Sequence, residues 1–382
     1  MSPDANVMKI SDFDFDLPPE LIAQNPLPER DASRMMVLFR KEGRWVHASF
    51  RDLPDYLAAG DMLVLNDTKV IPAKAWGRRG DASIEFLFVK ERTLGEWEVF
   101  CRPAKRLRIG DRVVFAADFE AVVIETGDEG RRILRFEAPD VLVRLFEVGY
   151  APLPPYIKRK KLDAARRPAD LDRYQTIFAD RAGAIAAPTA GLHFTPAVLE
   201  RLGKAGVEQA RVTLNIGPAT FQPVRVENLE DHRMGEESYE ISPETADTIN
   251  GGKAAGRPVL AVGTTVVRTL ESAARVYRGE GQILANLPSS AGEISPAPFI
   301  KKSEGAETGV LRPGKGSTRL FIYPGFEFRV VDRLLTNFHL PQSTLLALVS
   351  ALAGRDLILD AYKEAIRERY RFFSYGDCML IL

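Results

Sequence analysis

Short hydrophobic runs separated by turns dominate residues 61–150. Six such runs follow one another at close spacing, with Gly-containing turns such as IGD and TGDEG between them: MLVLN, SIEFLFV, WEVFC, RVVFAA, AVVIET and RRILRFE. Closely spaced short strands are typical of a small antiparallel β unit, and of a barrel in particular. The Pro-rich stretch GYAPLPPYIKRKK that follows is typical of a linker. The pattern therefore predicts a small antiparallel β-barrel domain over residues 61–150.

The sequence on either side of this unit mixes helical and strand-like patterns. Helices are predicted over Val198–Lys204 and Asp356–Arg371, the second because its apolar residues recur at helical spacing. Arg257–Gly263 has the continuous apolar character of a buried strand. We therefore expect an α/β protein, in which a larger α/β domain formed by residues 1–60 and 151–382 contains the inserted β-barrel.

Composition narrows the class of protein only slightly. The 382 residues predict two domains, and Lys+Arg and Asp+Glu both number 52, so any nucleic-acid binding would depend on local basic patches. Two cysteines indicate neither a disulfide framework nor a metal site. The acidic N-terminal stretch lacks the apolar core of a signal peptide, and Leu345–Ala353 is about half as long as a membrane span. We expect a cytoplasmic protein.

Two turns combine Gly, Pro, Thr and one further polar residue beside a hydrophobic run: AAPTAGLHFT at 186–195 and VTLNIGPATF at 212–221. In such turns the backbone can approach a ligand closely, because Gly has no Cβ and Pro fixes the chain path. Thr195 and Pro196 have the pattern of an N-cap and a first helical residue. His193 is therefore expected just before a helix start, where free N–H groups favour an anion.

A third corner follows the strand RPVLAVG. This strand runs directly into Thr264 and Thr265 and then into the amphipathic helix VVRTLESAARVY. A strand, a Gly-Thr-Thr turn and a helix form a common ligand-binding corner, with an N-cap hydroxyl and free backbone N–H groups. Many α/β proteins have such corners for packing alone, so this pattern does not decide the function.

Three of the four histidines, His193, His232 and His339, lie in polar turns. They are either structural or members of one shared site, and the residues alone leave both alternatives open. In a shared site they would transfer protons, since an unperturbed imidazole titrates near pH ~6.5. Zinc is disfavoured because no two of them have close helical spacing and no Cys is nearby. Asp231 lies in a carboxylate-rich stretch that is either a solvated loop or part of the site.

Two common nucleotide-binding motifs are missing from the sequence. It contains neither the GxxxxGK[ST] loop of ordinary P-loop NTPases nor the GxGxxG fingerprint of a dinucleotide site. The residues by themselves then indicate a two-domain cytosolic enzyme that holds an anionic or zwitterionic ligand at helix N-termini.

A series of long motifs runs in order from about Phe13 to the C-terminus. The motifs are FDLPPELIAQNPLPERDASRMMVL, LVLNDTKVIPAKAWG, YQTIFA, AAPTAGLHFT, VTLNIGPATFQPV, HRMGEESYEI, AVGTTVVRTLE, GSTRLFIYPGFEF, LLTNFHLPQSTLLALVSALAG and AYKEAIRERYRFFSYGDCMLI. Together they resemble the S-adenosylmethionine:tRNA ribosyltransferase-isomerase family of queuosine biosynthesis. Pro296–Gly309 and the 120s to 140s match this family less closely.

The resemblance implies an enzyme with a small β-barrel inserted into a larger α/β domain. Members of the family transfer and isomerise the ribosyl group of S-adenosylmethionine onto 7-aminomethyl-7-deazaguanine at the tRNA wobble position. The products are epoxyqueuosine-tRNA, adenine and methionine. The resemblance therefore implies a monomer with tRNA and S-adenosylmethionine as substrates, no permanently bound cofactor and no metal.

The candidate site residues follow from these turns and from the chemistry that the resemblance implies. We hypothesise that His193 and His232 are the acid and base, that Asp231 orients an imidazole, and that Thr264 and Thr265 bind the methionine carboxylate. Asn215, Thr220 and Asn337 are candidates for hydrogen bonds to ribose or base. The full set assigned to S-adenosylmethionine binding is Thr189, Gly191, Asn215, Gly217, Thr220, Gly263, Thr264, Thr265, Asn337 and His339.

Basic residues that cluster on and around the β unit would suit a phosphate backbone if they shared one face. The candidates for tRNA contact are Arg30, Arg34, Lys69, Lys105 and Arg159, and the alternative is a set of solvated surface charges. Two other functional classes remain open at this point. One is an S-adenosylmethionine-dependent tRNA methyltransferase, and the other is a non-catalytic tRNA-binding protein.

Overall fold

A mixed sheet of nine strands organises most of the protein. The computed structural model describes residues 8–137, 140–218, 224, 226–274 and 310–382. The strands of the large sheet are β1 Arg34–Phe39, β2 Arg44–Ser49, β3 Met62–Asn66, β12 Glu208–Leu214, β13 Glu237–Ile241, β14 Val259–Val262, β15 Gly314–Thr318, β16 Arg333–Asn337 and β17 Cys378–Ile381. Their order across the sheet is β15-β13-β12-β3-β14-β16-β17-β1-β2.

The centre of this sheet is parallel and buried on both faces. β12, β3, β14 and β16 run in the same direction, whereas β17 is antiparallel to β16. Side chains alternate along each strand, so Met62 and Val64 pack into one hydrophobic core while Leu63 and Leu65 pack into the core on the other face. Double burial explains why the central strands are continuous apolar runs.

Helices cover both faces of the sheet. Pro196–Lys204 (α3) packs on the face of Leu63, and its N-cap is Thr195, whose hydroxyl accepts a hydrogen bond from the Val198 N–H at 3.3 Å. The face of Met62 is covered by four helices: Pro243–Ala254 (α4), Thr264–Ala273 (α5), Thr344–Ala353 (α6) and Arg355–Arg367 (α7). Two shorter helices are Val141–Val148 (α1) and Arg167–Arg173 (α2). Within the described ranges no helix has the length and apolar character needed to cross a bilayer.

A closed antiparallel barrel of six strands forms the second unit. Its strands are Lys74–Arg79 (β5), Ala82–Thr93 (β6), Glu96–Arg102 (β7), Arg112–Ala116 (β8), Phe119–Thr126 (β9) and Arg131–Phe136 (β10). Alternate side chains, including Phe86, Phe88 and Phe119, fill its interior. The predicted fold class, a larger α/β unit with an inserted antiparallel barrel, is thus confirmed.

The strand MLVLN belongs to the large sheet and not to the barrel, to which the sequence pattern assigned it. Met62–Asn66 pairs in parallel with β12 and β14. All five of its residues are buried, as expected for a central parallel strand, whereas the barrel strands alternate buried and more exposed positions. A short parallel pair, Thr68–Val70 (β4) with Arg181–Ala184 (β11), follows this strand before the barrel begins. The division into domains at residues 61 and 150 stays a prediction.

Candidate functional site

Polar residues collect at one edge of the large sheet, where its parallel strands end. Because β12, β3, β14 and β16 are parallel, Asn215, Asn66, Gly263 and Asn337 lie at the same edge. β17 begins at this edge, since Asn337 is paired with Cys378. Ligands of α/β proteins commonly bind in the crevice beyond the carboxyl ends of the strands. This edge is therefore the candidate functional site.

Asn66 fixes the backbone of two neighbouring elements at this edge. Its side chain is buried, and its amide group donates to the Leu214 carbonyl at 3.1 Å and to Thr265 Oγ1 at 3.2 Å. Its carbonyl oxygen accepts from the N–H groups of Thr68 at 3.1 Å and Leu214 at 3.0 Å. Sequence reasoning missed this residue, although an asparagine that ends a continuous apolar run is a visible signal.

The start of α5 forms an open corner beside β14. Gly263 has φ +88°, a conformation that favours glycine, and its N–H donates to the Leu335 carbonyl at 2.8 Å. Its N-cap residue is Gly263, which has no side chain to cap the helix, and the first N–H groups lie at the positive end of the helix dipole. A Cβ on Gly263 would lie 3.7 Å from Ala190, which belongs to the turn Thr189–His193. The structure thus brings this turn against the Gly-Thr-Thr corner.

His193 is buried with one ring nitrogen bonded and the other without a partner. Nδ1 lies 3.0 Å from Ser33 Oγ, and the ring packs on Phe50 with 5.2 Å between ring centroids. Nε2 has no hydrogen-bond partner in the described part of the chain. Burial lowers the pKa of this imidazole to about 4, although the Asn337 side chain offsets part of the shift. His193 is therefore neutral at pH 7.

Asn337 supplies a second buried atom without a partner next to His193. Its Nδ2 donates to the Phe373 carbonyl at 2.9 Å, which leaves Oδ1 without a hydrogen bond to any described residue. A narrow cleft reaches His193 from the surface and is lined by Arg30, Ser33 and Tyr375 among others. Buried polar atoms usually have partners, so the unpartnered Nε2 of His193, which borders this cleft near the Asn337 side chain, marks a place where a ligand can bind.

A buried ion pair connects α5 to the start of β13. Arg268 donates to Glu237 through Nη1 and to the Leu320 carbonyl through Nε at 3.0 Å, and both charged side chains are more than nine-tenths buried. Glu237 also accepts a hydrogen bond from the Gly217 N–H at 3.1 Å. The sequence pattern singled out Gly217 but missed the pair, because its members are far apart along the chain.

Asp231 and His232, both proposed for the site, have different surroundings. Asp231 is exposed, and its carboxylate accepts a hydrogen bond from Asn228 Nδ2 at 3.2 Å. His232 packs edge-on against Phe321 at 5.2 Å, and burial lowers its pKa. Phe321 belongs to the core on the Met62 face, whereas Phe50, which contacts His193, belongs to the core on the opposite face. The two histidines are thus placed on different sides of the sheet.

The remaining predicted ligand-binding residues have varied surroundings. His339 has an internal role, because its Nε2 lies 2.8 Å from Thr336 Oγ1 and burial lowers its pKa to about 3. Asn215 accepts a hydrogen bond from Thr68 Oγ1 at 2.8 Å. Gly191 is packed so closely that a Cβ would lie 2.9 Å from the side chains of Phe178 and Thr176. Thr189 begins the His193 turn and is partly exposed. Thr220 lies outside the described residues.

Three of the five cations assigned to tRNA are committed to internal contacts. Arg30 donates to the carbonyls of Gln175 and Asp172, both at 2.9 Å, and burial lowers its pKa. Arg34 lies over the Tyr370 ring and donates to the Glu368 carbonyl at 2.6 Å. Arg159 forms a two-bond ion pair with Asp170. Lys105 is exposed, and Lys69 is partly exposed beside Phe146.

Comparison with known proteins adds an independent observation. The family model described as "Queuosine biosynthesis protein" matches residues 10–381. The chain belongs to this family. A member from Thermotoga maritima, called S-adenosylmethionine:tRNA ribosyltransferase-isomerase, is 46% identical over 376 residues, covering 98% of this chain and 100% of the relative. A relative of the same name from Acetivibrio thermocellus is 47% identical over 378 residues, with the same coverage.

A solved structure supports the same assignment. The crystal structure of S-adenosylmethionine tRNA ribosyltransferase from Thermotoga maritima matches with a TM-score of 0.51 and 38% sequence identity, covering 97% of this chain and 100% of that one. In the ranges that the structure describes, no group of three or more His, Cys, Asp or Glu side chains is placed to hold a metal ion.

Proposed function

We propose that this queuosine-family protein transfers and isomerises the ribosyl moiety of S-adenosylmethionine onto 7-aminomethyl-7-deazaguanine at the wobble position of tRNA. The products are epoxyqueuosine-tRNA, adenine and methionine. The match of the family model to residues 10–381 carries the proposal. Relatives that carry this activity in their name also align over their full length.

The surroundings of His193 support its role as the base. The sulfonium of S-adenosylmethionine acidifies the adjacent C–H, so a modest base can remove this proton in a site that excludes water. His193 is neutral, buried and unpartnered at Nε2, and these are properties that such a base needs. Ser33 holds Nδ1, which leaves Nε2 as the nitrogen available to the substrate.

The open end of α5 supports the position of the methionine carboxylate. Thr264 and Thr265 begin a helix without a side-chain cap, and backbone N–H groups at a helix N-terminus favour an anion. The Asn66 side chain orients Thr265 by donating a hydrogen bond to its Oγ1. Asn215 and Asn337 lie at the ends of β12 and β16, with β3 and β14 between them, where amide groups can bind ribose or base. His232, on the other side of the sheet, is the second candidate for the proton that adenine receives on leaving.

The 7-aminomethyl-7-deazaguanine base at the wobble position must leave its stack to reach this edge, as is usual for enzymes that act on a nucleic-acid base. The enzyme in this proposal works as a cytoplasmic monomer with S-adenosylmethionine as a co-substrate. Both cysteines, Cys101 and Cys378, are free and buried, in keeping with a reducing compartment. Light scattering on the purified protein measures the oligomeric state directly.

Mass spectrometry of the products tests the proposal. The protein is incubated with S-adenosylmethionine and a tRNA that carries 7-aminomethyl-7-deazaguanine. We expect free adenine, free methionine and a wobble nucleoside that has gained an epoxycyclopentanediol group. S-adenosylhomocysteine with a methyl-sized gain would instead identify a methyltransferase, and tRNA binding without either product would identify a binding protein.

A further inference from the structure

One end of the barrel collects exposed cations. β5, β7 and β9 end there while β6, β8 and β10 begin there, so the loops 80–81, 103–111 and 127–130 share that end. The chain enters the barrel at Lys74 and leaves it after Phe136, both at the opposite end. The loop end, which we call the distal end, therefore points away from the connection to the large sheet.

The loop Pro103–Asp111 is held firmly and turns its charges outward. Leu107 is buried in the barrel core, and the buried Arg132 donates to the carbonyls of Ala104 at 2.8 Å and Leu107 at 3.3 Å. Lys105 and Arg106, which lie between these anchors, and Arg108, which follows them, are all exposed. The loop is thus held in place and presents three cations to solvent.

Three cations at the distal end have no ion pair within the described part of the chain. Asp111 in the same loop pairs with Arg79 at 2.9 Å, and Arg112 pairs with Glu120. The Arg108 backbone N–H and its charge both contribute to the lowered pKa of Asp111. Arg102, Lys105 and Arg106 are exposed and have no ion pair with any described carboxylate. Asp81, Asp128 and Glu129 lie on the other loops of this end, so the positive patch is local to Arg102, Lys105 and Arg106.

The basic linker extends this patch. Lys161 donates to Ser83 Oγ at 2.9 Å, and Ser83 lies at the start of β6, two residues before Glu85, which is opposite Arg102 in the barrel register and forms its ion pair with Lys74. Neighbouring positions in a sheet are about 5–8 Å apart, so Lys161 lies close to Arg102. The linker and the distal loop thus form one continuous basic surface.

We propose that this surface binds the phosphate backbone of the tRNA stem, apart from the place where the wobble base reacts. The proposal rests on the proposed function for the identity of the nucleic acid. From the sheet edge the chain continues through β4 into β5, whose six residues span about 20 Å. A ligand that contacts both the sheet edge and the distal end must span this distance, so it is a macromolecule. Exposed cations without ion pairs suit phosphates, whose contacts give affinity but no sequence information.

The test uses the triple variant K105Q/R106Q/R108Q and the control variant K204Q/R355Q/K363Q. Both lose three exposed positive charges, but those of the control pair with Glu200, Asp356 and Asp360. We expect the distal variant to raise KM for tRNA about tenfold or more, with kcat and KM for S-adenosylmethionine unchanged. The slope of log affinity against log salt should become shallower by about 2–3, since each phosphate contact contributes about 0.7–0.9.

Two outcomes overturn the inference: an unchanged KM and salt slope in the distal variant, or an equal change in the control. A normal kcat at saturating tRNA shows in either case that the variant is folded. Failure of the proposed function is a separate result, because the unsubstituted enzyme would then release no adenine. Direct measurement of tRNA binding by filter retention tests the surface even in that case.

Discussion

The sheet edge and the distal end of the barrel hold their polar groups in opposite ways. At the edge, Asn66, His193 and Arg268 are more than nine-tenths buried, and most of their polar atoms have fixed partners. At the distal end, Lys105 and Arg106 are exposed and extend from a loop that is held by the buried Leu107 side chain and by hydrogen bonds from Arg132 to its backbone. Buried, oriented groups suit chemistry at one atom, whereas exposed charges suit a large anion whose phosphates are spread over a surface.

The largest effect should follow from removal of the proposed base. We expect His193→Ala to lower kcat about 10²–10⁴-fold while KM for tRNA stays near its original value, since proton transfer by a positioned side chain contributes about that factor. This is the reverse of the pattern expected for the distal variant. Steady-state release of adenine measures both constants.

His47→Gln is the matched control for this prediction. His47 lies on the edge strand β2, three strands away from β16, and its Nδ1 is 2.8 Å from Tyr370 Oη. Its substitution should leave kcat unchanged. If His193→Ala also retained normal turnover, the base would have to be sought elsewhere, with His232 next.

The buried ion pair at the edge should respond to truncation much more strongly than an exposed pair on the barrel. Glu237→Ala leaves Arg268 buried without its carboxylate, and breaking a buried pair in this way costs about 3–5 kcal/mol of unfolding free energy. Glu96→Ala removes the partner of Arg135 in an exposed pair and should leave stability close to its original value. Urea unfolding measures both variants, and equal losses would contradict the contrast drawn above.

The pH dependence of stability should separate the two regions as well. Burial lowers the pKa of His193 to about 4 from its ordinary 6.5, so between these values the unfolded chain binds a proton that the folded chain does not. The neutral imidazole therefore makes its full contribution to the free energy of unfolding above about pH 6.5. This contribution, about 3 kcal/mol in total, is lost as the pH falls towards 4.

His193→Gln should remove this part of the pH dependence, whereas K105Q/R106Q/R108Q should not, because lysine and arginine do not titrate in that range. Unfolding in urea at pH 4.5, 5.5 and 7 gives the two profiles. A His193→Gln profile parallel to that of the unsubstituted protein would show that the imidazole is not held neutral by burial.

The parts of the fold that depend on local pattern were predictable from the sequence. The helix over Val198–Lys204 and its Thr195 cap follow from residues adjacent in the chain, and both are found. Met62–Asn66 was placed in the wrong unit because a short apolar strand has the same pattern in a barrel as in a parallel sheet. Only its pairing with β12 and β14 distinguishes the two.

The candidate site was predictable as a set of turns but not as a set of contacts. Gly263 and Asn337 were selected because they end strand-like runs, and parallel pairing brings them to one edge. The bond between Ser33 and His193 and the pair Glu237 with Arg268 join distant positions, so no local pattern reveals them. For the same reason Arg30 resembled a surface cation, although backbone carbonyls of Asp172 and Gln175 surround it.

The smallest effect compares two glycines with similar backbones, one in each region. Gly263 has φ +88° at the start of α5, and Gly110 has φ +87° in the distal loop. Alanine at either position should cost about 1–2 kcal/mol of unfolding free energy, because a Cβ disfavours this conformation. Their kinetic effects should differ. Gly263→Ala disturbs the helix start and should raise KM for S-adenosylmethionine, whereas Gly110→Ala shifts the cationic loop and should raise KM for tRNA alone. Equal effects of both substitutions on the KM values of both substrates would contradict the assignment of S-adenosylmethionine to the sheet edge and of the tRNA backbone to the distal end.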